Sequence, residues 1–163
     1  MDVIDKIVTL EDLAARLGKA RKSGQTIVFT NGCFDIMHVG HVRYLGQARS
    51  QGDLLVVGLN SDSSVRAIKG AKRPIVGQDH RAELLASLVC VDYVVPFEEL
   101  DPLRLIQAIK PDVLVKGEDW AEDAIVGAEE VKSRGGKVVR ISFVEETSTS
   151  GIIQTILKHH RGD

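Results

Sequence analysis

Two histidines flank a glycine in the stretch FTNGCFDIMHVGHVRYL, which runs from Phe29 to Leu45. His38 and His41 stand three residues apart, so on a helix they occupy one side of a single turn. A helix N-terminus carries unpaired N–H groups and a partial positive charge, and it favours anions. Gly40 has no side chain, which lets a phosphate approach the backbone. Two imidazole donors and bare amides therefore read as a compact polyphosphate clamp of tunable charge. Two plainer readings stand beside it. A His pair at this spacing can begin a zinc site, but no cysteine or nearby acidic pair completes four ligands. Either histidine can also be an ordinary helix cap.

A second group is cationic. Lys69, Lys72 and Arg73 lie on the polar stretch 61–77, whose Gly70 and Gly77 suggest mobility. The stretch reads as a basic lid carrying charge to phosphates, or as a solvated charge run. Arg81 falls in the first turn of the following helix, where the dipole disfavours a cation. That points to an external partner such as phosphate, with an exposed arginine as the alternative. Ser148, Thr149 and Ser150 precede the last helix, where hydroxyls are first of all caps.

The elements that position these groups alternate along the chain. Helical patterns cover residues 9–22, 39–52, 78–88, 101–110, 120–134 and 150–160, with a short helix inside 61–77. Thr9 and Asp12 have capping-box spacing, Gly24 and Gly52 act as stops, and Asp101 with Pro102 opens the helix at 101. Strands are expected at 26–30, 53–60, 91–97, 112–117 and 135–144. These strands are continuous apolar runs, which point to a parallel sheet covered on both faces. One doubly wound α/β domain with right-handed crossovers follows, spanning 1–163 with 1–24 as an N-terminal helical extension. Ligands in such sheets bind at the carboxyl ends of the strands, so the loops at 30–40, 59–76, 97–101, 116–120 and 144–150 are the ones to inspect.

Composition narrows the classes. The 163 residues suit one domain, and 44% hydrophobic with 27% charged residues read as soluble and globular. With 21 basic and 23 acidic residues the net charge is −2, so no broad basic face for nucleic acid is expected, and any anion site is local. Cys33 and Cys90 make no metal or disulfide spacing and suit a reducing cytosol. No leader or membrane-length apolar run is visible, so a cytoplasmic protein with no membrane partner is expected. The first strand is not followed by GxGxxG, and GxxxxGK[ST] is absent, against a dinucleotide oxidoreductase and a P-loop kinase.

The stretch TNGCFDIMHVGHVRYL resembles the signature of the HxGH nucleotidyltransferases, the cytidylyltransferase-like superfamily. Within it, NGCFDIMHVGH, GLNSDSSVRAIKG, KRPIVGQDHRAELLASLVCVDYVV, DPLRLIQAIKPDVLVKGEDW and the terminal STS–II are together similar to the adenylyltransferase domain of ADP-heptose synthases. HxGH alone is a moderate signal; five ordered blocks covering nearly the whole chain are a strong one. The resemblance implies a Rossmann-like sheet of order 3-2-1-4-5, with first and fourth strands adjacent at the switch point. It implies transfer of AMP from ATP to D-glycero-β-D-manno-heptose 1-phosphate, giving ADP-heptose and pyrophosphate. Because no kinase-sized segment is present, a stand-alone enzyme is expected. The family's common oligomery implies a homodimer.

The attacking phosphate is already an anion, so positioning and charge neutralisation outweigh general-base catalysis. On that basis His38, His41, Lys69 and Lys72 are the expected catalytic residues. Thr30, Asn31, Gly32, Phe34 and Gly40 are expected to wrap the nucleotide from the first loop, with Arg81 adding a phosphate contact. Asp35 and Arg73 are expected on the acceptor side. By resemblance, Lys116, Gly117 and Asp119 help bind base and ribose, and Ser148, Thr149 and Ser150 add phosphate binding to capping. Trp120 reads either as a stacking ring or as packing, and Cys33 as packing. Mg2+ is expected with ATP, held by phosphates and water, with no protein metal ligands. Two departures stand out: KGEDW replaces the family's frequent KGGDY, and VEET before STS lacks a basic residue, which Arg140 or the lid would have to supply. A cytidylyltransferase acting on glycerol 3-phosphate or a related phosphorylated polyol is the alternative, and a non-catalytic nucleotide sensor a further one.

Overall fold

Ile27 and Phe29 point to one face of the first strand and Val28 to the other, and all three are fully buried. A strand apolar on both faces needs a layer of helices on each side. In the computed structural model, which describes residues 2–142 and 148–160, it has both. The chain runs α1 (Leu10–Lys22), β1 (Ile27–Gly32), α2 (Val39–Arg49), β2 (Leu54–Asn60), α3 (Asp62–Lys69), α4 (Gln78–Ala86), β3 (Tyr93–Phe97), α5 (Leu103–Ile109), β4 (Val113–Gly117), α6 (Ala128–Ser133), β5 (Lys137–Ile141) and α7 (Thr149–His160). The strands form one parallel sheet in the order β3-β2-β1-β4-β5. Rossmann-like doubly wound topology and strand order agree with the sequence reading.

Two cores flank the sheet. Val28, Leu55, Val57 and Val113 meet Leu45 and Ala48 of α2 and Leu85 of α4. Ile27, Phe29, Val56 and Leu114 meet Leu13 and Leu17 of α1 and Leu105, Ile106 and Ile109 of α5. At the opposite end of the strands from their carboxyl edge, Asp53, Asp92 and Asp112 accept from the backbone N–H groups of Thr26, Leu55 and Ile27 at 2.7–2.8 Å. No helix among the described residues is long and apolar enough to cross a membrane.

Several boundaries differ from the sequence reading. The loop expected at 30–40 begins as strand: pairing continues through Asn31 with Gly58 and Gly32 with Leu59, so β2 holds the glycine extended. The expected helix over 120–134 is two pieces, a 3-10 turn at Glu122–Ala124 and α6. Gly127 separates them at φ +83°, and a Cβ there would stand 2.5 Å from Ile106 Cδ1. Asp101 does cap, accepting from Leu103 N at 2.9 Å, but Pro102 is the N-cap residue and the helix starts one residue later than expected. Thr9 caps α1 as expected, accepting from Asp12 N at 3.1 Å. The strand expected over 135–144 is described as Lys137–Ile141; its last two residues, and the VEET segment, lie outside the described residues.

Candidate active site

β1 and β4 lie side by side, and the chain leaves them in opposite directions along the sheet, so a crevice opens at their carboxyl ends. The β1–α2 junction lines one side. Phe34 adopts a left-handed φ of +46°, unusual for a residue with a side chain. This turns its ring into the core, under Gly32, where a Cβ would meet the ring at 3.0 Å. The same ring meets His41 edge-on at 5.3 Å. Phe34 is thus a support beneath the imidazole, 6% exposed, rather than a wrap around a ligand.

His38 is the N-cap residue of α2, yet its side chain makes no capping bond, so the ordinary-cap reading fails for it. The His38 and His41 rings stack at 3.8 Å and 27°. Among the described residues, their Nδ1 atoms are the buried side-chain polar atoms without a partner. Burial lowers the His41 pKa to about 4, with His38 beside it adding to the effect, and burial also lowers His38. At neutral pH the unliganded pair is therefore neutral. Each ring can donate one hydrogen bond, and charge appears only if an anion pays for it.

β4 lines the other side. Lys116 Nζ donates to Asn31 Oδ1 at 2.5 Å and stands 5.7 Å from the centre of the Trp120 ring. Burial draws its pKa down to about 8, against the opposing pull of Asp119. Gly117 is buried and Asp119 exposed. Trp120 is 48% exposed, and Arg140 donates to its carbonyl at 3.3 Å. Glu118 accepts from Ser142 Oγ. Below this edge Tyr44, which the sequence reading did not single out, shares a hydrogen bond with Thr30 at 2.8 Å and donates to Val115 O at 3.3 Å. Its spacing of three from His41, on the buried side of α2, was the available signal. The Thr30 hydroxyl is consequently engaged inside the protein, 0% exposed, and does not reach the crevice.

The basic loop is fastened to the β1–α2 junction. Lys69 ends α3, and it and Lys72 are exposed. Arg73 is not a free cation: its Nε pairs with Asp35 Oδ2. Asp35 is 1% exposed, and its Oδ1 accepts from Ile75 N at 2.7 Å and Val76 N at 2.8 Å. Its expected place at the acceptor sugar is thus taken by the loop. Arg81 is also corrected. It is fully buried, giving Nε to Val76 O at 2.9 Å, Nη1 to Cys33 O at 2.6 Å and Asn60 O at 2.9 Å, and Nη2 to Asp62 at 2.7 Å. The partner demanded by its dipole-opposed position is internal, not a phosphate. The Cys33 thiol is pushed up by burial, against the nearby Lys69, Arg81 and Arg73 charges, which suits packing rather than nucleophilic attack.

α7 closes a further side. Ser148 Oγ accepts from Gly151 N at 3.0 Å, an N-cap, and Thr149 donates to Ile36 O at 3.4 Å, docking the helix start on the histidine loop. Ser150 is exposed. Around the crevice the fold therefore gathers His38, His41, Asn31, Gly32, Gly40 and Lys116 to Asp119, with Lys69 near Cys33 and the start of α7 docked on the histidine loop; Lys72 stands exposed on the basic loop. It withholds the side chains of Thr30, Asp35 and Arg81. Such a site, with amides, Lys69, Lys116 and neutral imidazoles, can accept a polyanion and neutralise charge that develops on it.

Comparison with known proteins places the chain in a family. The cytidylyltransferase-like family matches residues 29–159. The bifunctional protein HldE of Geobacter sulfurreducens is 54% identical over 153 residues, covering 94% of this chain and 31% of its own length. The chain thus spans about a third of the length of the curated relatives it matches. The crystal structure of a lipopolysaccharide core biosynthesis protein from Thermoplasma volcanium superposes with a TM-score of 0.65 at 32% identity, covering 75% of this chain and all of that one. Pantoate-beta-alanine ligase from Francisella tularensis, complexed with beta-gamma ATP and beta-alanine, has a TM-score of 0.60 at 15% identity, over 96% of this chain and 79% of its own, a likeness of fold alone.

Proposed function

The chain belongs to the cytidylyltransferase-like family, and from that premise we propose that it is an adenylyltransferase that joins ATP and D-glycero-β-D-manno-heptose 1-phosphate. The observation that carries the nucleotidyl-transfer reading is the stacked His38–His41 pair at the start of α2, with buried unpartnered Nδ1 atoms beside a junction tied to Lys116. The likeness to the bifunctional protein HldE, and to a lipopolysaccharide core biosynthesis protein, supports the sugar phosphate as acceptor.

In this reading an oxygen of the sugar phosphate attacks the α-phosphorus in line. The new P–O bond forms as the bond to the bridging oxygen breaks, and pyrophosphate leaves with the electron pair. No proton needs removal from the attacking anion, which fits a site without a strong base. His38 and His41 donate hydrogen bonds to the triphosphate and strengthen them as negative charge moves toward the leaving group. Lys69 and Lys72 bring charge from the basic loop. Asn31, Gly32, Gly40 and the Lys116–Asp119 edge hold the nucleoside, while Ser148, beyond its cap to Gly151 N, and the exposed Ser150 reach phosphate oxygens. Among the described residues no three His, Cys, Asp or Glu side chains converge as a metal cage. In this reading magnesium arrives on the ATP phosphates and is held mainly by them and by water.

The test crosses ATP and CTP with heptose 1-phosphate and glycerol 3-phosphate in a pyrophosphate-release assay. ATP with the heptose phosphate is the productive pair. Release only with CTP moves the protein to the cytidylyltransferase reading.

A further inference from the structure

The sequence suggests a mobile basic lid over 61–77, loosened at Gly70 and Gly77, but the two halves of the loop between those glycines are held very differently. We infer that Asp35, with Arg81, is a positioning residue that pins Ile75–Val76 to the β1–α2 junction, confining movement to Gly70–Lys72 and presenting Lys69 and Lys72 from a fixed base. The inference deepens the proposed function and rests on it for the role of the lysines.

The hydrogen bonds make a closed ring between segments distant in the chain. Asp35 receives three N–H donors, from Arg73 Nε, Ile75 N and Val76 N, all within four residues of one loop. Val76 is held from both sides, since its N–H goes to Asp35 and its carbonyl accepts from Arg81 Nε at 2.9 Å. Arg81 returns to the same β1–α2 junction through Cys33 O, and fastens the end of β2 through Asn60 O. A carboxylate in this position has little left to offer a sugar. It is 1% exposed, its Oδ1 already takes two loop amides, and the one acceptor site left on Oδ2 is buried beside Arg73. Buried charge held by several donors is also costly to release.

The other half of the loop lacks such ties. Gly70 has φ +98° with open space where a Cβ would stand, and both lysines are exposed. The bond closing this half is a single turn, Arg73 N to Gly70 O at 3.0 Å. Lys72 thus swings on a short hinge, while Lys69 is held at the end of α3. A short swing limits how many orientations Lys72 loses when it meets a phosphate.

Limited proteolysis reads this directly, because trypsin needs a longer stretch than Gly70–Lys72 to unfold before it cuts after Lys69 or Lys72, and the pinned Ile75–Val76 limits that opening. The wild type is compared with Asp35→Ala, and with Arg73→Gln, which keeps the two backbone bonds of Asp35 if the alanine variant fails to fold. Cleavage at these two sites should rise about tenfold or more in Asp35→Ala and less in Arg73→Gln, with cleavage elsewhere unchanged. In the pyrophosphate assay kcat should fall while the KM for the sugar phosphate stays within about twofold. Unchanged cleavage in both variants, with a sugar-phosphate KM raised several-fold, would make Asp35 an acceptor ligand and overturn the inference. Faster cleavage at every site together would make it a general stability residue and overturn it equally. The proteolysis arm needs no substrate. Its failure therefore leaves the proposed reaction standing, whereas absence of pyrophosphate release with every donor and acceptor sinks the reaction and leaves the strap intact.

Discussion

Replacing His41 by alanine and by asparagine separates two ways in which an imidazole can serve a triphosphate. With its pKa near 4, about one free molecule in a thousand carries an imidazolium at pH 7. The ring is held by the His38 stack at 3.8 Å and the Phe34 edge at 5.3 Å, so it arrives oriented but uncharged. If it acts as a neutral donor, alanine removes one oriented hydrogen bond to developing charge, about 10²–10³ in kcat. Asparagine, a neutral donor of similar reach, should recover about tenfold of that loss. The assay is steady-state pyrophosphate release at pH 7, with the Trp120 emission spectrum as a check on folding. Full activity in the alanine variant would remove the histidines from the reaction. Asparagine as inactive as alanine would show that charge, not donation, is what the position supplies. The same shift predicts acid sensitivity. Between about pH 4 and 6.5 the unfolded chain holds the His41 proton and the folded chain does not, so stability falls as pH drops through that window. Thermal melts should show a shallower decline for His41→Asn than for the wild type.

Three further outcomes are expected. Lys116, drawn down to about 8, loses its charge as pH rises past that value; the KM for ATP should climb there in the wild type, and in Lys116→Met it should be raised about tenfold at pH 7 with that limb absent, as KM–pH profiles will show. Arg81→Met strands Asp62 and three carbonyls and should cost about 3–5 kcal/mol in urea denaturation; unchanged stability with a raised ATP KM would restore the phosphate-ligand reading. Gly127→Ala drives a Cβ against Ile106 at φ +83° and should cost about 2–4 kcal/mol in the same assay, with a loss under about 0.5 kcal/mol refuting the packing argument.

The parallel sheet was legible because burial on both faces writes itself as uninterrupted apolar runs, as in Leu54–Leu59. Thr9 could be read as a cap because its partner lies three residues away. The site was legible to the extent that it is local: His38, Gly40 and His41 share one helical turn, and no other segment is needed to bring them together. The break at Gly127 escaped notice because the neighbour that forbids a side chain there, Ile106, is on another helix.

By itself, then, the sequence determined the order of elements, the crevice that their alternation must create, and the motif at its centre. The tertiary structure alone decided which polar groups are spent on the protein and which are left for a ligand. Asp35 meets its loop 38 to 41 residues away, Arg81 meets Cys33 across 48, and Lys116 meets Asn31 across 85. Such partners are chosen by chain closure and burial. Near-neighbour spacing cannot report them, because a donor's identity says that it needs an acceptor but not where the fold will supply one.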